Sequence, residues 1–391
     1  MVTVTSVAVP DSGPLLKFCD PRHPLAFVRN GHGVVGMGAA VRLAFTGPDR
    51  IREAADAWRA ICASALVDDA VGLPGSGLIA FGSFAFADTS AHESVLVIPS
   101  VVVGRRGDVT WRTRIDAGEA DIAGPVGAWP GVAFTAGAMT RIAYADAVDA
   151  LVERIHAGEL SKAVLARDLV GRLDDADLRV PLRRLAQTYP DAFTFAVEGL
   201  LGATPETLVR VDRGQVTARV LAGTAARGAD ADAVLLGSRK DLDEHGLARA
   251  SVVAALRPHT SDLGGDQPFA LELPNLWHIA SDLHGTLSDG SSALDLAAAL
   301  HPTAAVGGTP TDLAVQVIDE LEPFDRGRYA GPVGWIGADG SGEWAIALRC
   351  ALIADGTVTA YAGAGIVADS VPVQELAETD LKFRPILDAF S

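Results

Sequence analysis

The sequence predicts a soluble globular protein built of both strands and helices, and three observations carry that reading. The 391 residues are 49% hydrophobic, enough to fill a substantial core. Short apolar runs broken by Gly, Pro and Asp turns extend from Met1 to about Gly131, the pattern of successive strands, with one helical spacing over Pro48 to Ala65. From Arg141 onward, segments of helical period alternate with strands.

Composition narrows the partners. With 32 Lys plus Arg against 49 Asp plus Glu, the formal charge of −17 disfavours nucleic acid and anionic membrane, and an anionic substrate needs a local cationic site. Cys19, Cys62 and Cys350 are odd in number and widely spaced, so neither a disulfide framework nor a zinc site is indicated and a reducing cytoplasm suits the chain. The N-terminus MVTVTSVAVPDS lacks the basic region of a signal peptide, and the apolar run Val95 to Val103 is too short to span a bilayer. The chain lacks heptads or a large amphipathic arm, so a monomer is expected.

In the first third, Gly72 to Phe86 has glycines resembling a phosphate loop, but no Lys-Ser/Thr follows, and turn plus strand is the reading. Gly104 to Gly131 reads as a turn-rich hairpin region or a subdomain joint. Tyr144 to Ala157 is helical, with Ala147, Leu151 and Ile155 at four-residue spacing and Gly158 placed to end it. The strand LSKAVLARDLVGRL follows, with Lys162 among apolar neighbours where it must either snorkel or work, since a desolvated lysine can serve as a base. TFAVEGLLGATPETLVRVD reads as strand, turn and strand. Pro205 starts a helical turn that places Glu206 as a charge at a helix N-terminus or as a general acid. Beyond the strand VTARV, Gly223 permits close approach with the Thr224 hydroxyl beside it. Ala225 to Ala233 is loop, and Ser238 caps a helix from Arg239 to about Leu256 that carries Asp241 and Glu244 on one face.

A strand runs from Trp277-His278 to Leu287, then the helix SSALDLAAAL, then His301 to Pro310, a run of small residues suited to lining a pocket. Asp312 to Leu321 is an amphipathic helix and Gly327 to Gly337 returns to strand. EWAIALRCALI reads as one strand, with Arg349 on the face of Ala345, Ala347 and Ala351, leaving room for a carboxylate to meet its guanidinium. Finally, a strand reaches Gly363 and Gly365, where a bound carboxylate could approach the backbone. After Pro372 a helix sets Glu375 and Glu378 on one face with Lys382 a turn later. That arrangement suits either a surface Glu–Lys pair or metal-type ligands. Two acidic pairs on two helices suit a hard cation such as Mg²⁺.

Taken together, GELSKAVLAR, GATPETLVR, LAGT, KDLDEH, WHIASDLHGTL, LHPTAAVGGTP, RGRYAGPVGW, AIALRCA and GAGIVADSVPVQELAETDLK, in that order from about Tyr144 to Leu387, resemble the chorismate-utilising enzymes and among them the isochorismate synthases. The resemblance implies one large α+β domain spanning 1–391, with facing antiparallel β-sheets and helices packed outside. It divides the chain into a divergent portion, 1–140, and a catalytic portion, 141–391. It implies Mg²⁺-dependent conversion of chorismate to isochorismate, with Lys162 activating water for attack at C2 and Glu206 protonating the departing C4 hydroxyl. Glu244 and Glu378 would hold the metal, with Asp241 and Glu375 in support; relatives often carry Glu where this chain has Asp241. Arg349 and Tyr329 would hold the enolpyruvyl carboxylate, Gly223, Thr224, Gly363, Gly365 and Lys382 would surround the ring carboxylate and metal, and His278 would lie near the ring.

Lysine at 162 separates the chain from the ammonia-using anthranilate and aminodeoxychorismate synthases, which resemble one another in having glutamine there. Ala305, where salicylate synthases tend to carry threonine, favours release of isochorismate over pyruvate elimination. A noncatalytic chorismate-binding paralogue would lose one of these groups, and all are kept. A nucleotide-binding oxidoreductase read from Gly363-Ala-Gly365 lacks the surrounding βαβ unit.

Overall fold

The computed structural model describes residues 2–11, 13–116, 124–226, 231–272 and 276–391. Two largely antiparallel sheets face one another. The larger has 13 strands and the smaller 10. The first strand, Thr3–Val9, lies parallel to Leu66–Asp69 at one edge of the larger sheet, while the pairings further in are antiparallel. Alternation of side chains explains why the larger sheet is buried on both faces. Phe27, Val34 and Phe195 point into the core between the sheets, where they meet Phe81 and Trp344 of the smaller sheet. Their neighbours Ala26, Val28, Val35 and Ala196 point to the outer face, which Leu182, Phe383 and Phe390 of two helices cover. Each fully buried Phe contributes roughly 1.5–3 kcal/mol. Stacking of Phe27 on Phe193 at 4.7 Å ties neighbouring strands on the inner face.

Strands from before and after residue 130 share both sheets, the two groups meeting at one junction in each. In the larger, Phe193–Val197 pairs with Leu25–Arg29; in the smaller, Pro332–Gly337 pairs with Ile79–Ser83.

Several local expectations hold. The helix expected over Pro48 to Ala65 is Arg50–Ser64, and the segment Gly72 to Phe86 is a turn leading into the strand Ile79–Ser83. Val101–Arg106 and Val109–Ile115 form the hairpin expected beyond Gly104. Helix Arg141–His156 ends at Gly158, φ +79°, whose N–H donates to Ile155 O while Glu159 N–H reaches Arg154 O. That pair of bonds satisfies two terminal carbonyls, and the positive φ explains the glycine. The helix Arg239–Leu256 has the expected bounds.

Other expectations fail. Within the loop expected at Ala225 to Ala233, the strand Gln215–Ala226 continues to Ala226 and a short helix Ala231–Gly237 begins. Gly327 to Gly331 is a turn, and the strand starts only at Pro332. Thr204-Pro205-Glu206 forms no helical turn. EWAIALRCALI is two strands, Gly342–Ile346 in the smaller sheet and Cys350–Ala354 in the larger.

Candidate active site

Both last corrections have one physical origin. Two of the passages of the chain between the sheets run side by side. Leu200–Thr204 belongs to the larger sheet and Thr207–Asp212 to the smaller, so Pro205 and Glu206 are the crossing. Ala347, Leu348 and Arg349 make the return crossing. Backbone bonds lock the two together at either end, Ile346 N–H to Glu206 O and Ala203 N–H to Arg349 O, each 3.1 Å. Gly202 must lack a side chain, because a Cβ there would fall 2.6 Å from Arg349 O. Arg349 itself sits at φ +47°, which turns it off the alanine face expected for it. The crossings thereby bring an acid and a guanidinium together in the seam between the sheets.

Burial pushes the Glu206 carboxyl above its usual range, against the pull of Arg349, Lys382 and Lys162 in that order. Burial pushes Arg349 the other way, opposed by Tyr329, Glu206, Glu378 and Tyr189. His278 is held below its usual value, first by burial and then by Lys382, Lys162 and Arg349. Its Nδ1 lies 3.2 Å from Gly223 O; a carbonyl only accepts, so Nδ1 carries the hydrogen and Nε2 of the neutral ring keeps its lone pair. Gly223, at φ +79°, is the bulge in the pairing of Gln215–Ala226 with Leu276–Leu287, which aims its carbonyl at the histidine. Lys162, Glu206, His278, Arg349 and Lys382 thus share one electrostatic neighbourhood, four of them from separate strands or crossings and one from a helix.

Lys162 opens the strand Lys162–Arg172 and is half-buried. A Cβ on Gly365 would stand 3.0 Å from Lys162 Cε, so the missing side chain clears a path for the lysine stem. At Gly363 a Cβ would meet Leu165 O at 2.9 Å and Tyr329 Oη at 3.1 Å. The space that these glycines leave is thus bordered by the Lys162 stem and the Tyr329 phenol. Tyr329 is buried and stacks on Tyr361 with centroids 5.0 Å apart and planes 13° apart. Burial raises its proton affinity, so the phenol remains a hydrogen-bond donor.

Helix Pro372–Phe390 carries the last group. Lys382 Nζ donates to Gly363 O at 2.8 Å and pairs with Glu378 Oε1 at 2.6 Å, the one-turn pair anticipated from spacing. Glu375 lies one turn earlier, its carboxyl raised by burial, lowered by Ser370 and raised again by Glu378. Glu378 keeps 48% of its side chain exposed. Arg167, buried in the strand that begins at Lys162, donates to Thr379 Oγ1 at 2.7 Å and pairs with Asp380, fastening this helix to that strand. Ala305 lies in a turn at 304–306 and is half-buried. The side chains of Asp241, Glu244 and Thr224 lie outside the described residues. Their backbones place the two acids in the opening turns of Arg239–Leu256, and Thr224 opposite His278. Tyr361 went unnoticed in the sequence; its signal was an aromatic in strand register with Cys350, just beyond Arg349.

Residues 132–391 match the family model described as chorismate binding enzyme. The chain belongs to that family. Among relatives of this chorismate-binding enzyme, isochorismate synthase DhbC of Bacillus subtilis is 43% identical over 266 residues, 63% of this chain and 67% of that one. A salicylate biosynthesis isochorismate synthase of Pseudomonas aeruginosa is 33% identical over 394 residues, 90% of this chain and 82% of that one. The crystal structure of DhbC from Bacillus anthracis is similar with a TM-score of 0.76 at 31% identity, covering 96% of this chain and 98% of that one. Among the described residues, no helix is long and apolar enough to cross a membrane.

Proposed function

We propose that this chorismate-binding enzyme is an isochorismate synthase, adding water at C2 of chorismate and releasing the C4 hydroxyl as water. The observation that carries the reading is the pairing of these two sheet crossings, which sets Glu206 beside Arg349 and within the field of Lys382 and Lys162. Lys162 takes a proton from the attacking water as the C2–O bond forms. The ring double bonds shift, the C4–O bond breaks, and Glu206 gives its proton to the departing hydroxyl. Atoms balance, with one water entering and one leaving. Burial of Glu206 supports its role, since it raises the carboxyl above its usual range and so favours its protonated form.

Arg349 and the Tyr329 phenol are suited to the enolpyruvyl carboxylate, a planar anion matching a guanidinium fork and a donor hydroxyl. Lys382, Gly223, Thr224, Gly363 and Gly365 are suited to the ring carboxylate side, and His278 Nε2 to a polar group on the ring. Glu375 and Glu378, one helical turn apart and with Glu375 partly withdrawn from water, fit a hard divalent cation, which Asp241 and Glu244 would complete. Bound Mg²⁺ supplies positive charge that binds and polarises the substrate carboxylate. These cations reverse the sign of a −17 chain where a dianion must dock. Names of the similar enzymes from Bacillus and Pseudomonas agree with the reading, and three free cysteines suit a reducing cytoplasm.

The deciding experiment is incubation with chorismate and Mg²⁺ and separation of the products. Isochorismate is expected; salicylate and pyruvate as the main products at neutral pH would replace this reading by a salicylate synthase. Lys162→Ala and Glu206→Gln are each expected to abolish turnover while chorismate still binds in equilibrium dialysis.

A further inference from the structure

The strand Lys162–Arg172 pairs along one side with Thr357–Ile366 over ten residues. On its other side it has two short partners, Gly308–Thr309 against Lys162 and Ala163, and Thr135–Ala136 against Leu169 and Val170. Between them a gap is left, and an ion pair fills it. Glu322 Oε1 accepts from Ala166 N–H at 2.7 Å, and Arg326 Nη2 donates to Val164 O at 2.6 Å. The two side chains grip each other through Arg326 Nε to Glu322 Oε2 at 2.8 Å and Nη2 to Oε1 at 2.6 Å, both nearly sealed from solvent at 3% and 1% exposure.

The same arginine reaches two further parts of the site. Its Nη1 donates to Val306 O at 3.0 Å, in the turn that carries Ala305, and its backbone carbonyl accepts from Tyr329 N–H at 3.0 Å. Phe86 lies under its plane at 4.5 Å. A buried ion pair is weak as a source of stability, since desolvation consumes most of its attraction. What it supplies here is fixed geometry: a planar fork whose donors meet the Val164 and Val306 carbonyls and the Glu322 carboxylate, on a residue whose own backbone carbonyl holds the turn to Tyr329. Each segment leads within three residues to a group assigned to the substrate: Val164 to Lys162, Val306 to Ala305, and Arg326 to Tyr329.

We propose that Glu322 and Arg326 are positioning residues that set the distance between the base Lys162 and the Ala305 turn across the substrate, and so set both the rate of water attack and the choice of product. The inference rests on the isochorismate synthase reading above. Both side chains are nearly sealed from solvent. They act through the three backbone segments that they hold.

The test compares Arg326→Lys with the double variant Glu322→Met/Arg326→Met. The lysine keeps the charge but cannot meet both carbonyls and the carboxylate; the double variant removes both charges and so leaves none buried alone, which preserves folding if the lysine variant fails to fold. In each folded variant, kcat is expected to fall about 100-fold, the loss associated with a misplacement near 1 Å, with KM for chorismate within about 3-fold of wild type because the Arg349 and Lys382 contacts remain. The pyruvate-to-isochorismate ratio is expected to move. Amide exchange at Ala166 is expected to quicken in both variants. A double variant that folds and keeps the wild-type kcat and product ratio would overturn the proposal. So would a kcat loss that only tracks the folded fraction. Wild type run alongside separates the two readings: if it does not convert chorismate, the enzyme assignment fails, whereas unchanged exchange at Ala166 in the variants defeats the clamp whatever the activity.

Discussion

Replacing Gly365 with alanine should separate catalysis from stability. The position lies inside the strand Thr357–Ile366 outside the left-handed region, so the backbone accepts a Cβ, and an alanine there gains about 0.5–1 kcal/mol over glycine in conformational freedom. The new Cβ would stand 3.0 Å from Lys162 Cε and 3.7 Å from Nζ, and no other atom lies within 4 Å. The lysine must therefore give way by a few tenths of an ångström. A flexible stem does so at about 0.5–1.5 kcal/mol, the cost of leaving its rotamer. These terms nearly cancel, so Tm should stay within about 2–4 °C of wild type. The ammonium carried on that stem moves with it. Since a 1 Å error in a reacting group costs about 100-fold, a shift of this smaller size should lower kcat about 10-fold. Steady-state kinetics beside a thermal melt reads both quantities. The comparison variant Gly363→Ala presses instead on Leu165 O and the stacked Tyr329, neither free to yield, and should lose about 1–3 kcal/mol of stability. A Gly365→Ala protein with wild-type kcat would refute the assignment of Lys162 as the base whose stem this glycine accommodates.

Two further outcomes are expected. A carboxyl raised in the folded state contributes stability below its ordinary range and loses it as pH rises through the raised value, so the Tm of Glu206→Gln minus that of wild type should grow more positive from pH 4.5 to pH 8; a difference that shrinks with rising pH would mean that Arg349, Lys382 and Lys162 outweigh burial. Chelation of Mg²⁺ should end turnover, and Glu378→Gln should weaken Mg²⁺ binding at least about 10-fold in calorimetric titration without substrate; equal affinity in the variant would remove Glu378 from the cation site.

Much of this was legible because the relevant signals are local. Gly158, the bounds of Arg239–Leu256 and the Glu378–Lys382 pair each follow from spacing within a turn or two. The crossings were not. Period-two alternation runs through EWAIALRCALI without interruption, because both strands are buried and apolar on each side of the switch, and a positive φ at an arginine leaves no mark of the kind a glycine leaves. The surroundings of Gly363 and Gly365 were not legible either, since sequence shows that space exists but not that Tyr329 and Lys162, distant in the chain, border it. Glu322 and Arg326 escaped for a related reason. Four residues apart, they carry no local signal of burial, and only the stretch between Gly308–Thr309 and Thr135–Ala136, without a partner strand, reveals why both are sealed inside.

The junction of early and late strands in each sheet bears on how the chain can be cut. Residues 132–391, matched by the family model, hold every group assigned to chemistry, yet expressed alone they would leave Phe193–Val197 and Pro332–Gly337 as raw borders where Leu25–Arg29 and Ile79–Ser83 now lie. Long apolar borders of that kind recruit copies of themselves. The first 130 residues contribute no reactive group, but they close both sheets, and a fragment without them would be an aggregating species rather than a smaller catalyst.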